Sequence, residues 1–485
     1  MSLPALPNEV VTRIIIYLVP DLDVPLGCYE DTFSSPSSSF VQGRRALLAL
    51  VKSSRRLCAV ATSYLYRTIC VYDVRGLFML LRSLITRPEH AQYVRGLVIL
   101  ADLFLTPNNA IEAEAARAMA AIPEESKVFT YLQPCFGEFE HVGELNYEET
   151  DDFIEGACGL LLCLTAHLET LYLQCPNWNV GEYDHLSAIP RKCLEEGLEC
   201  VPHLSQLFVV ADPEACSPAL ADDLPQPLMV TGSVKDVRLF GGCLREDQTP
   251  SMLAVAWRNV ESIQVKYGYT EGSWWYEMCR LAKPRLTYIS IDLSPYSDLP
   301  DTQPAYGLDD SLLLCANTLE TLHLMVSRHT NFGHLLGPQK RLSCLASMTR
   351  LTELAVSIPL LFESPAAMRD RKIYDILPPS LQTLELDEEE SCDEDPWKLA
   401  IDGEEERLAE YKSSLPLVLR DLIHESGGKL PKLQEVRLTI LGLFWKEGVP
   451  GLESNVSNLI PGERGKADYV VFSFVSKRRS GIKRE

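Results

Sequence analysis

One apolar phrase, Leu-x-x-Leu-x-Leu, returns along this chain, and its recurrence limits the fold more than any other feature. It stands as Leu168-Glu169-Thr170-Leu171-Tyr172-Leu173, as Leu319-Glu320-Thr321-Leu322-His323-Leu324 and as Leu381-Gln382-Thr383-Leu384-Glu385-Leu386. Looser versions, with any aliphatic residue at the apolar places, begin at Leu204, Val234, Val260, Leu286, Leu351 and Leu433, with a further one at Val94. From Leu168 to Leu381 the starts lie 36, 30, 26, 26, 33, 32 and 30 residues apart. Such spacing marks a repeat architecture, in which each unit stacks on its neighbours. The last two apolar places are two apart, so they share one face of a short strand. Helix-like segments lie between the phrases. The span from Val94 to Leu168 is too long for one unit, so it hides a degenerate repeat or an insertion.

A chain of 485 residues exceeds a single compact core, but a stack of repeats escapes that limit because its core grows lengthwise. The formal net charge of -22 argues against a nucleic-acid partner, which needs clustered Lys and Arg. The 15 cysteines form no Cys-x-x-Cys pair, and the nine histidines join no Cys/His cluster. Reduced, buried thiols in an intracellular protein, cytoplasmic or nuclear, are the expectation. No metal or cofactor is expected. The first 20 residues carry acidic Glu9 and no long apolar core, so no secretory signal is read there. The longest uncharged apolar run, near Ala157 to Ala166, is too short to span a membrane. No Gly-x-Ser-x-Gly, phosphate-cradling loop or His-Glu-x-x-His is present.

The N-terminus reads as three helices. Leu6-Pro7-Asn8-Glu9 opens the first, with Val10, Ile14 and Leu18 beside Val11 and Ile15 forming one broad apolar face. Residues 20–43, rich in Asp, Ser, Pro and Gly, read as a loop. Leu47, Leu50 and Val51 mark a second helix. Ser53 or Ser54 caps a third, carrying Leu57, Ala61, Tyr64 and Leu65, and Tyr66 to Val71 reads as a strand leading out.

These residues carry a resemblance. Leu6-Pro7-Asn8-Glu9-Val10, with Ile14 and Tyr17-Leu18, is similar to the opening of an F-box. Leu47 through Leu57 resembles its second half, and Tyr64-Leu65-Tyr66-Arg67 resembles the ending in fungal members. The family often has Cys at the place of Ser54 and Trp at that of Leu57. The phrases themselves resemble leucine-rich repeats. Together the resemblances imply an α/β solenoid, curved sheet inside and helices outside, behind a small helical F-box. The F-box would cover 1–72 with its loop insertion at 20–43, and the solenoid 90–476 with an acidic insertion at 387–412. A basic tail would follow at 477–485. They imply a non-catalytic substrate receptor of an SCF-type cullin–RING ubiquitin ligase. The adaptor, and through it a cullin, would dock on Leu6, Pro7, Glu9, Ile14, Leu50 and Leu57. The target would meet the concave face, whose middle column includes Tyr172, Phe208, Arg238, Gln264, His323, Glu385 and Arg437. Two alternatives stay open: a binding scaffold without a ligase role, and an enzyme with a cryptic site.

Between these landmarks, residues 108–122 read as an alanine-rich helix, 137–152 as an acidic loop and Thr150 as the start of another helix. Trp274-Trp275-Tyr276 lies on a helix, where three adjacent rings cannot all face the core. Residues 387–406 are dense in Asp and Glu and read as a mobile insertion. A last helix is expected at 415–424, and a strand from Tyr469 to Val475 closes the sheet.

Overall fold

Each phrase folds as a short strand, and within each unit neighbouring strands pair parallel. The structure is a computed structural model and describes residues 6–19, 38–100, 103, 147–174, 201–210, 233–241, 243–244, 257–270, 272–293, 307–326, 341–362, 365–388, 418, 422, 429–441 and 471–477. The chain divides into two compact units, Met1–Gly242 with Pro250–Trp257, and Cys243–Thr249 with Arg258–Glu485. Both are α/β.

In the first unit β1 (Thr68–Val71), β2 (Gly96–Ile99), β3 (Thr170–Gln174), β4 (Gln206–Val210) and β5 (Asp236–Phe240) pair in that order, all parallel. In the second, β6 (Cys243–Leu244) pairs β7 (Ser262–Thr270). β8 (Tyr288–Leu293), β9 (Thr321–Val326), β10 (Glu353–Ser357), β11 (Thr383–Glu388), β12 (Glu435–Leu441) and β13 (Val471–Lys477) follow side by side, again parallel. Parallel neighbours need long crossovers, which is what the spacing between phrases provides.

The register stacks like on like: Leu171 beside Leu207, Leu322 beside Leu354, Leu354 beside Leu384. All three apolar places are buried, as at Leu168, Leu171 and Leu173 or Leu319, Leu322 and Leu324. Burying one such side chain is worth about 1.5–3 kcal/mol, so the columns carry much of the stability. A backbone device repeats with them. The carbonyl after the first apolar place accepts two N–H groups from the next phrase: Arg95 O from Glu169 and Thr170, Glu320 O from Thr352 and Glu353, Thr352 O from Gln382 and Thr383.

The phrase at Val94 is a true strand, with Val94, Leu97 and Ile99 buried. β2 pairs directly with β3, Gly96 beside Thr170, so the long span between them is an insertion and adds no strand between the two. It ends in a helix at Tyr147–Leu164, three residues ahead of the expected start at Thr150. β1 is a further phrase. Ile69 and Val71 align with Leu97 and Ile99, which sets Tyr66 opposite Val94; a tyrosine at the first place hid it.

Ahead of β1 stand α1 (Asn8–Ile16), α2 (Ser38–Ser53) and α3 (Arg55–Arg67). Val11 and Ile15 of α1, Leu47 of α2, and Leu57, Ala61 and Leu65 of α3 form their common core. Ser54 caps α3 by accepting from Leu57 N at 3.2 Å. α2 begins at Ser38, so the expected loop at 20–43 ends sooner; buried Phe40 anchors that extra turn. α3 runs directly into β1, and Arg44 of α2 donates to Thr68 O at 3.1 Å. The helices and the first strands thus form one unit, without a break near residue 72.

In the second unit Trp274 and Trp275 are both buried, edge to face at 5.1 Å, and Tyr276 is the partly exposed member. Asp387 and Glu388 continue β11 rather than opening the acidic insertion, and Asp387 is buried. The rest of that insertion, the expected helix at 108–122, most of 415–424 and the tail beyond Lys477 lie outside the described residues. Among the described residues no helix is long and apolar enough to cross a membrane.

Candidate partner-docking surfaces

α1 has more apolar residues than one face can hide. Val11 and Ile15 turn into the helical core, which leaves Val10, Ile16 and Tyr17 exposed, Tyr17 at 90%. Leu48 of α2 is exposed as well. Of the residues expected to dock an adaptor, Pro7 and Glu9 are exposed, and Leu6, Ile14 and Leu50 are half-buried. Leu57 is a correction. It is 2% exposed and belongs to the core, because it shares the inner face of α3 with Ala61 and Leu65. The exposure of Val10, Ile16 and Tyr17 has a signal in the sequence, the surplus of apolar residues from Val10 to Val19; that of Leu48 has none in that stretch.

Pro7 stands at the N-cap of α1 with φ -57 and ψ 152 and supplies no side-chain cap bond. Its carbonyl accepts from Val10 N at 3.1 Å and Val11 N at 3.0 Å. Arg56 of α3 reaches this corner. Its Nη2 donates to Leu6 O at 2.6 Å and to Asn8 Oδ1 at 2.6 Å, and its Nε donates to the same Asn8 oxygen at 2.8 Å. Deeper in, burial lowers the Arg44 guanidinium pKa and pushes the Cys70 thiol up to about 12. Cys70 packs against the cluster of Val98, Tyr172 and Phe208, and its thiolate is disfavoured there.

The second expected surface is the sheet face opposite the apolar columns. In the first unit that face is buried at its aromatic residues. Tyr172 is 2% and Phe208 9% exposed, and they cluster with Val98 and Leu100 while Cys70 and Val210 pack against them. The two rings lie 6.4 Å apart. Strand alternation says which face a side chain takes, not whether that face is open, and parallel sheets are commonly covered on both sides. Arg238 is half-buried, 4.8 Å over the Phe208 ring, with bonds of 3.0 and 2.8 Å to Asp236 Oδ2.

In the second unit the same column is polar and partly open. Gln264, His323, Glu385 and Arg437 are half-buried, while the small residues Ser290 and Ala355 on either side of His323 are buried. His323 Nδ1 lies 3.4 Å from Tyr288 OH and its Nε2 3.4 Å from Glu353 Oε1. Arg437 grips Glu435 at two points, 2.8 and 2.9 Å, with Glu385 at 4.0 Å. That pairing holds the Glu435 carboxyl below its ordinary range and the Arg437 guanidinium above its own.

Buried thiols lie behind the second sheet. The hydrogen bond with Cys315, then burial, pushes the Cys279 thiol well up. Burial, then the nearby Asp309, does the same at Cys344. Among the described residues no group of three His, Cys, Asp or Glu side chains is arranged to hold a metal ion. No protein-family model matches this chain, and no curated protein matches it.

Proposed function

We propose that this chain is the substrate-recognition subunit of an SCF-type cullin–RING ubiquitin ligase. The three N-terminal helices act as an F-box that docks the ligase adaptor. The leucine-rich-repeat strands of the second unit take the target protein on their polar face, around His323, Glu385 and Arg437. The observation that carries this reading is the outer surface of the helical core. Pro7, Val10, Tyr17 and Leu48 stay exposed there, although a free-standing bundle gains nothing from showing apolar side chains to water. The order of the parts supports it too: a helical bundle first, then a run of parallel strands carrying one repeated phrase.

In this mechanism no residue of the chain performs chemistry. Tethering brings the target to the ubiquitin-loaded enzyme carried by other subunits, and the gain is effective concentration. The buried ring pair Tyr172 and Phe208 holds the first sheet together instead of reading a target.

The test is capture of adaptor and cullin from cell extract by the full chain, with ubiquitin transfer assayed on the recovered complex. The intact chain captures both, and Leu6→Ala with Pro7→Ala loses them while the chain stays folded, its melting temperature lowered only by the packing Leu6 gives to the helical core. If the folded, intact chain captures no adaptor, the ligase reading is lost and a binding scaffold replaces it.

A further inference from the structure

We infer that Arg56 is a positioning residue of the docking surface, holding Leu6-Pro7-Asn8 in the conformation an adaptor meets. This inference rests on the reading proposed above. The first turn of a helix leaves N–H groups without intrahelical partners, and it frays unless something ties it down. α1 has no side-chain cap of its own, because proline stands at the N-cap. The tie comes instead from α3, 48 to 50 residues away in sequence. A planar guanidinium suits the task. Its Nε and Nη2 converge on the single oxygen Asn8 Oδ1, and Nη2 also reaches the Leu6 carbonyl, so side chain and backbone are fixed together. A lysine ammonium has no such fork.

The consequence concerns binding more than folding. Arg56 is exposed and outside the helical core of Val11, Ile15, Leu47, Leu57, Ala61 and Leu65. What it fixes is the exposed corner in front of that core, where Pro7 faces solvent and Leu6 is half-buried. A corner already held in its bound form loses less freedom when a partner arrives.

The experiment uses the full chain and purified adaptor protein. Affinity is measured for the unaltered chain and for Arg56→Ala, Asn8→Ala, the double variant, Arg56→Lys and Arg55→Ala. Amide exchange at Val10 and Val11, whose N–H groups bond the Pro7 carbonyl, is followed in parallel. We expect Arg56→Ala and Asn8→Ala each to weaken binding about tenfold, and the double variant to be weaker than either by no more than about twofold, because both remove one clamp. Arg56→Lys recovers part of the loss. Arg55→Ala, which removes the same charge one residue away, leaves affinity unchanged, and all variants keep the melting temperature. Arg56→Ala binding like the unaltered chain, or Arg55→Ala losing as much, overturns the inference; the second outcome means charge attraction alone. If the unaltered chain binds no adaptor, the ligase reading fails by itself, and exchange then judges the clamp. Faster exchange at Val10 and Val11 in Arg56→Ala supports it, and unchanged exchange overturns it.

Discussion

Asp309 holds Ser343 with both carboxylate oxygens: Oδ1 accepts the Ser343 N–H at 2.7 Å and Oδ2 accepts its hydroxyl at 2.6 Å. Oδ1 also accepts the Cys344 N–H at 2.8 Å. The carboxylate lies on the helix Leu308–Leu314 and is buried, and it caps the short 3-10 helix Cys344–Ser347 that precedes the next strand. One repeat thus satisfies the orphan donors of its neighbour. Asp309→Ala leaves those N–H groups unpaired, and removing a buried partner costs about 1–3 kcal/mol per stranded group, so a loss of about 2–4 kcal/mol is expected. Asp310→Ala, at an exposed residue that accepts the Gly307 N–H at 3.1 Å, costs about 1 kcal/mol. Urea melts of the two variants check the contrast, and equal losses contradict it.

The apolar columns give a sharper contrast. Leu322 is fully buried, whereas His323 beside it is half-buried, edge to face with the Tyr288 ring at 5.5 Å and with polar contacts of 3.4 Å to Tyr288 and Glu353. Leu322→Ala opens a cavity and costs about 2–5 kcal/mol. His323→Ala costs under about 1 kcal/mol, because its contacts are long and partly wet. Thermal melts showing similar small losses at both positions would contradict the repeat assignment.

These columns are also where the sequence is most readable. Leu168, Leu171 and Leu173 announce a strand because strand periodicity and repeat spacing agree, and the same holds at Val94. Tyr66, Ile69 and Val71 form an equal phrase that pattern alone passes over, since the first place holds an aromatic ring. Sidedness was legible for Tyr172 and Phe208, but their burial was not, because alternation fixes the face a side chain takes and says nothing of what packs over it. Leu57 shows the limit from the other side. A helix can display apolar residues to its own core or to a partner, and periodicity does not say which. Arg56 and Asn8 were illegible as a pair, being 48 residues apart with nothing in the local pattern to join them.

His90 makes stability depend on pH. Its ring lies tilted against Tyr66 with centroids 4.5 Å apart, and its Nδ1 is buried with no hydrogen-bond partner among the described residues. Burial, aided by Arg87 and opposed by Glu89, holds its pKa below the ordinary 6.5. Above about pH 6.5 the ring is neutral in both states and the contribution is complete. As pH falls below that value the unfolded chain takes the proton first, so stability is lost until the folded value is passed. His90→Phe keeps a ring and removes the titration. Its melting temperature should fall less between pH 7 and pH 5 than that of the unaltered chain, and identical slopes would rule the effect out.

The thiols behind the second sheet should be inert. Cys279, Cys315 and Cys344 are buried, and the thiolate that alkylates is disfavoured at Cys279 and Cys344 by the causes given above. Iodoacetamide at pH 8 should label none of them in the folded chain and all of them in urea. Mass spectrometry reads this directly, and rapid labelling of Cys279 without denaturant would show that this core opens.

On the proposed ligase reading, Tyr17 and Leu57 together separate adaptor docking from folding. Tyr17 ends α1 with its ring almost wholly in solvent, so Tyr17→Ala removes no packing and should leave the melting temperature within about 1 °C, as surface changes usually do. An exposed tyrosine about two turns along from exposed Val10 is the kind of anchor that dominates an interface, and losing one costs about 2 kcal/mol or more, roughly thirtyfold in affinity. Leu57→Ala does the reverse. Leu57 lies inside the helical core, so its loss destabilises the bundle by about 2–5 kcal/mol and weakens docking only as far as the helices unfold. Adaptor affinity and thermal melts measured on both variants therefore give opposite signatures. If Tyr17→Ala binds adaptor as tightly as the unaltered chain does, the exposed end of α1 is not part of the docking surface, and contact is confined to Pro7 and its neighbours.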